Sequence, residues 1–296
     1  MDRRPRLLDF DRLEQAVPGG RRCLRLLCAA AALVILGFAL TTLAQIWHFV
    51  SGKAQVGGDL VLYLGATRSW LAGQSFYPPT EISRPFPVGD GSILYPPVAI
   101  LLFLPWLDLP LWTFAAVPLC IVLTVVWYHR PAPWTWPLMA FCLAQTSVLV
   151  KVVYDNPVLW MAAAVALGTI GGGWAVAVLV KPTLLPFALV GARRRVWWGG
   201  LVALGAASRL FLPLWSQYLA VLANARDPRG ILYSLGDAPL LLVPVLAFVG
   251  SQRKPIPRSF ARWRAAGLSL VQAGRSRPAS ASGRRGPLRT PRRAVL

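Results

Sequence analysis

The sequence predicts an all-α polytopic membrane protein of about eight transmembrane helices, followed by a disordered basic tail. Three observations carry that prediction. Several windows stay apolar over the roughly 20 residues that a helix needs to cross a bilayer. The 296 residues are 56% hydrophobic and only 14% charged, whereas a soluble domain carries about 25% charged residues. The apolar segments also lack the alternation of apolar and polar positions that marks a membrane barrel strand.

The formal net charge of +20 invites a nucleic-acid partner, and the placement of the charge argues against one. Twelve cations, from Arg253 to Arg293, lie beyond the last apolar segment with no acid among them. Further clusters lie between Arg3 and Arg25 and at Arg193-Arg194-Arg195, beside segment ends. That is the pattern of positive-inside flanks rather than of a DNA-binding face. Cys23, Cys28, Cys120 and Cys142 show no paired spacing, so neither a disulfide nor a metal site is expected. His48 and His129 stand near segment ends and read as interfacial polar tips. Thirteen tryptophans gather near segment ends too, as membrane belts do.

Taken in order, residues 1–22 form a polar lead expected in the cytoplasm. The first span, Cys23 to Val50, is too long for a signal peptide and reads as an uncleaved anchor. Residues 51–95 form a long polar interval, expected on the outer face. Within it, Asp59 to Gly73 has helical spacing, with Asp59, Tyr63, Ala66/Thr67 and Trp70 on one face and Leu60, Leu64 and Leu71 turned elsewhere. Asp59 suits a helix cap, a catalytic carboxylate, or both. Gln74 to Leu94 is rich in Pro, Gly and Ser and reads as an ordered loop. Further spans are expected at Val98–Trp106, Leu109–Tyr128, Pro133–Val150, Pro157–Ile170, Trp174–Val190, Val196–Trp215 and Ala238–Gly250. Lys151 to Asn156 reads as a small polar turn, and Ser216–Gly236 as a second outer loop. The membrane domain thus covers residues 23–250. From residue 251 the composition turns to Arg, Ser, Pro, Gly and Ala, which predicts disorder. The tail is either a natural basic segment on anionic lipid or the product of a shifted reading frame in GC-rich coding sequence. The DNA around codon 250 separates the two.

Several short motifs recur in a telling order. Asp59, Tyr63 and Trp70-Leu71-Ala72-Gly73 precede Tyr77, and Tyr95-Pro96-Pro97 leads into a Leu/Phe-rich segment. Asp155-Asn156 follows, and then Lys181-Pro182 after a glycine-rich turn, shortly before Arg193–Arg195. From about residue 23 to 250 this order resembles glycosyltransferase family 87, polyprenol-phosphate-sugar-dependent enzymes with the C-type glycosyltransferase fold that include mannosyltransferases of envelope glycolipids. The resemblance implies transfer of a sugar, mannose by default, from a polyprenyl-phosphate donor to a glycolipid or glycan hydroxyl at the outer face of a bacterial plasma membrane. It implies an inverting reaction with Asp59 as general base. No cofactor is implied, since the lipid-linked donor is a co-substrate, and a divalent metal is left open. The partners are then the donor, the acceptor and membrane lipids, and no nucleic acid.

The leaving phosphate needs positive charge. Arg68, Lys181, Arg209, Arg226 and Arg229 are the candidate cations, with Tyr63, Tyr95 and Asn156 as further substrate-binding candidates. Lys181 and Arg209 lie within apolar segments, where an ionisable side chain points to function, although Arg209 can also snorkel to an interface. No Walker loop or dinucleotide fingerprint is present, as suits a lipid-linked donor. Two rival readings stay open: a transporter or flippase, and an inactive or truncated fragment, because the family's members continue into further spans where this chain turns basic.

Overall fold

The computed structural model describes residues 20–53, 56–89, 91–227 and 235–252. The expected cytoplasmic lead up to residue 19, Arg229 and the basic tail from 253 lie outside the described residues.

The described chain is mostly helical. It opens with α1 (Gly20–Ser51), 32 residues without a proline, about 48 Å long at 1.5 Å per residue. Then come α2 (Gly58–Leu71) and a strap holding α3 (Pro79–Ser83) and β1 (Phe86–Pro87). α4 (Ile100–Phe103) sits between single 3-10 turns at Pro97–Ala99 and Leu104–Leu107. α5 (Thr113–His129), α6 (Thr135–Leu143), α7 (Thr146–Val153) and α8 (Val158–Gly171) follow. After 3-10 stretches at Trp174–Val180 and Pro182–Leu184 come α9 (Leu185–Ala188), α10 (Arg195–Arg209), α11 (Leu212–Asn224), β2 (Ala225–Arg226) and α12 (Ala238–Val249). β1 and β2 pair in parallel, Phe86 with Ala225 and Pro87 with Arg226. α8 is the central helix, packed against α5, α12 and the first 3-10 stretch. Its run Ala162-Ala163-Ala164-Val165-Ala166 is buried throughout, because small side chains let neighbours approach on every side.

By length and composition, α1 is the one described helix that can cross a bilayer, and the number rises to three if each of two bent pairs is one span. The pairs are α6 with α7, bent by 56°, and α10 with α11, bent by 93°. Only 11% of the apolar window of α1 is buried, and Leu26, Leu33, Val34 and Phe38 stand exposed. So large an apolar surface is at home in hydrocarbon rather than water. α5, α8 and α12 are apolar, but at 17, 14 and 12 residues they measure ~18–26 Å against a hydrocarbon core of ~30 Å. The sequence count of about eight spans rests on apolar windows, and hydropathy does not register whether one helix carries the window.

Five sequence expectations are corrected. Trp174–Val190 is not a helix that crosses but an excursion that returns to its start. A Cβ on Gly191 would stand 2.7 Å from the Gly172 Cα, so the two ends of the segment touch. Pro182 and Pro186 deny it the amides of a continuous α-helix, and the positive φ of Gly172 and Gly191 (80° and 82°) allows the contact. Lys151 lies within α7 rather than in a turn. The strap is not loop throughout, since it contains α3 and β1. The buried face of α2 is Leu60, Tyr63, Leu64 and Thr67, so the leucines face inward with the tyrosine and Asp59 lies half-buried at its edge. His129 departs as well: it is buried and paired with Thr169 Oγ1 at 2.8 Å rather than placed at an interface.

Candidate active site

The site forms where the start of α2 meets the end of α7. The amides of Gly57 and Asp59 donate to the carbonyls of Val153 (2.9 Å) and Tyr154 (3.1 Å). Amides left unpaired at one helix start are thereby satisfied by carbonyls left unpaired at another's end. The approach needs glycine. A Cβ on Gly57 (φ 71°) would stand 3.0 Å from Asp155 Oδ2, and one on Gly58 would stand 3.3 Å from the Tyr154 ring.

α7 ends in a Schellman motif. The Asn156 amide donates to the Lys151 carbonyl at 2.9 Å and the Asp155 amide to the Val152 carbonyl at 3.4 Å, leaving Asp155 in the left-handed region at φ 53°. Asn156 then faces two ways. Its Oδ1 accepts the Val158 amide at 3.0 Å, which caps the start of α8, and its Nδ2 donates to Asp59 Oδ2. The capping bond fixes which end of the amide meets the carboxylate. The N-cap position of α2 is Gly57, and Asp59 stands in the first turn of the helix. Beside it, burial and then the Asp59 carboxylate push the Asp155 carboxyl up from 3.8 to about 6.

A closed circuit of contacts leads from this junction. Tyr63, one turn on from Asp59, stands edge-on to Tyr95 with ring centroids 5.4 Å apart, and stacks on Phe103 at 4.8 Å. Lys181 Nζ lies 5.7 Å from the Tyr95 ring centroid. It pairs with Asp237 Oδ2 at 2.6 Å, and Lys151 pairs with Asp237 Oδ1 at 3.0 Å. The Lys151 carbonyl holds Asn156, and Asn156 holds Asp59. Asp59 and Asp155 lie on one side of the circuit, and Lys151, Lys181 and Asp237 on the other.

Of the residues singled out in the sequence, Asp59, Tyr63, Tyr95, Asn156 and Lys181 belong to this circuit. Arg68 and Arg209 are exposed and stand outside it. Arg226 is also exposed, its guanidinium donating to the Ala223 carbonyl at 2.9 Å. Sequence reasoning passed over Lys151, Asp155 and Asp237. A signal for Asp237 existed, since lysines set among apolar residues need a counter-ion and acids are scarce in this chain. Among the described residues, no three His, Cys, Asp or Glu side chains converge as metal ligands. Neither protein-family models, curated proteins nor solved structures gave a match to this chain.

Proposed function

We propose that the chain is a multi-pass bacterial plasma-membrane glycosyltransferase that moves a sugar from a polyprenyl-phosphate donor to a glycolipid or glycan hydroxyl at the outer face. Mannose is the sugar that the family resemblance implies. The observation that carries the reading is the half-buried Asp59 carboxylate, held by Asn156 one helical turn from Tyr63, whose ring packs on the Tyr95 ring that Lys181 approaches. Asp59 takes the proton of the acceptor hydroxyl as its oxygen bonds to the anomeric carbon. The bond from that carbon to the phosphate oxygen breaks on the opposite face, and the electron pair leaves with the polyprenyl phosphate. The configuration inverts. Lys181, beside the Tyr95 ring, faces the negative charge that develops on the leaving group.

The reading is supported by the separate placement of acid and cation, Asp59 at the start of α2 and Lys181 beside the Tyr95 ring, since an inverting transfer needs a base and a leaving-group partner that are distinct groups. The test replaces Asp59 by Asn, which keeps the shape and an acceptor for the Asn156 amide. Expression and melting temperature are expected to hold. Transfer from a polyprenyl-phosphate sugar falls by about 10²–10⁴, the usual worth of a general base. Transfer at the unaltered rate removes Asp59 from the chemistry and with it the proposed function.

A further inference from the structure

At the end of α8 away from Asn156, guanidinium groups from two separate elements come together. Arg130 follows α5 in the left-handed region, at φ 48°, next to His129, whose ring pairs with Thr169 near the end of α8. Arg194 reaches the same place from the start of α10 and donates to the carbonyl of Ile170, the residue after Thr169. Glycine makes the approach possible. A Cβ on Gly172 would stand 2.8 Å from Arg194 Cδ, and one on Gly200 would stand 2.6 Å from the Gly173 carbonyl oxygen. Arg193 and Arg195 flank Arg194, and all four arginines are exposed. α10 has no acid in its first turn, and among the described residues none of the four pairs with an acid.

The surface around these charges is apolar. Trp127, three residues before Arg130, stands exposed, as does Trp198, three residues after Arg195. Trp174, packed beside Gly171, is exposed as well, and so are Ile170 and Val196. Water suits the guanidinium groups and not this apolar rim, whereas hydrocarbon suits the rim and not the charges. The boundary of a bilayer suits both, since indole rings settle at headgroup depth and arginine extends to the interface. The uncompensated positive charge selects among headgroups. An anionic phosphate matches it, and a guanidinium can hold one through two parallel hydrogen bonds. A nucleic acid or an acidic protein would match the charge and leave the apolar rim in water.

We propose that this end of the bundle binds anionic phospholipid, with Arg130, Arg193, Arg194 and Arg195 on the headgroups and the three tryptophans at the same depth. Such binding is independent of any glycosyl transfer at Asp59.

The full chain in nonionic detergent is titrated with phosphatidylglycerol and, separately, with phosphatidylcholine, and bound lipid is counted by native mass spectrometry. Phosphatidylglycerol is expected to bind on the order of tenfold more tightly or better. Arg193→Gln, Arg194→Gln and Arg195→Gln together remove most of that preference, at about fivefold for each arginine. Arg193→Lys, Arg194→Lys and Arg195→Lys together keep most of it, because the charge is kept. Equal binding of the two lipids by the wild type, or undiminished preference in the folded glutamine variant, overturns the proposal. So does a lysine variant as weak as the glutamine one, since the loss would then come from packing over Gly172. Should the triple variants fail to fold, Arg130→Asn decides, because asparagine is tolerated in the left-handed region. A fall of about fivefold supports the proposal, and an unchanged preference refutes it. Arg84→Gln, on the strap, is expected to leave the preference intact, and an equal fall there would mean diffuse charge rather than this surface. Displacement of phosphatidylglycerol by a short RNA at equal concentration would assign the surface to a soluble partner and overturn the proposal.

Discussion

Asp155 occupies a backbone conformation that glycine adopts without strain, yet glycine there would leave Asp59 without its acidic neighbour. The corresponding position at the end of α2 is Gly73, at φ 81°. Two helices thus end in the same motif, one with the residue that conformation favours and one with an acid that it merely tolerates. A non-glycine residue held at positive φ beside a carboxylate suggests a purpose beyond chain reversal. Its titration gives a test. The folded carboxyl, at about 6, lies above its ordinary 3.8, so between those values the folded state holds more protons than the unfolded state. Stability from this group is therefore fully present below about pH 4 and is lost as the pH rises to about 6. Asp155→Asn retains the tolerated conformation and abolishes the titration. Relative to wild type, it gains on the order of 1 kcal/mol at neutral pH after allowance for solvent screening, and nothing at pH 4. Thermal melts in detergent across that range measure the difference, and parallel curves for the two proteins would show that Asp155 is not a buried acid.

At the scale of elements, the strap between α2 and α4 is tied down by α11. Ser75 donates to Gln217 at 2.7 Å, Tyr77 packs against Tyr218, and β1 lies alongside β2. Asn224 is the central tie, since its amide donates to the carbonyls of both Glu81 (3.1 Å) and Ile82 (2.8 Å). Asn224→Ala leaves two carbonyls without that donor and costs about 1–2 kcal/mol. The loss is local, so hydrogen exchange should accelerate across residues 79–88 while α8 keeps its protection. Equal acceleration in both would mean that the strap and the bundle open together. These ties were not legible in the sequence, because a polar side chain reaching across 142 residues leaves no local pattern. What was legible is what periodicity and punctuation control: α1, the extent of α2 with Gly57-Gly58 and Gly73 at its ends, and α8. The excursion through Lys181 was misread because its composition is apolar while its prolines and close glycines set its path. Asp237 was missed because an acid before an apolar segment looks like an ordinary cap. Asp59, Asn156 and Lys181 were found because polar groups among apolar segments stand out wherever they fall.

One end of the described bundle, opposite the site, carries a cluster of exposed arginines. α5, α8 and α12 all run away from the site: Trp160 near the start of α8 packs on Phe114 near the start of α5, and Thr169 meets His129 at their far ends. α12 starts beside Asp237, and beyond its end the Gly250 carbonyl accepts the Ala132 amide at 2.8 Å. Arg130 lies at that far end, as does Arg194, whose guanidinium donates to the Ile170 carbonyl. α1 places Leu43 and Trp47 against Val152 and Val153 beside the site, so Arg22, about 30 Å back along the helix, lies toward the far end too. Arg130, Arg193, Arg194 and Arg195 are all exposed, while Asp59, Asp155 and Asp237 gather at the opposite end. Exposed arginines favour the cytoplasmic side, so the site end is expected to face out. In a background with the four cysteines, all free thiols, replaced by alanine, single cysteines report this directly. Gln74→Cys, exposed just past α2, is expected to react with a membrane-impermeant maleimide on intact cells. Arg195→Cys is expected to react only after the membrane is opened. The opposite labelling pattern would put Asp59 on the cytoplasmic face, where an outer-leaflet acceptor could not reach it.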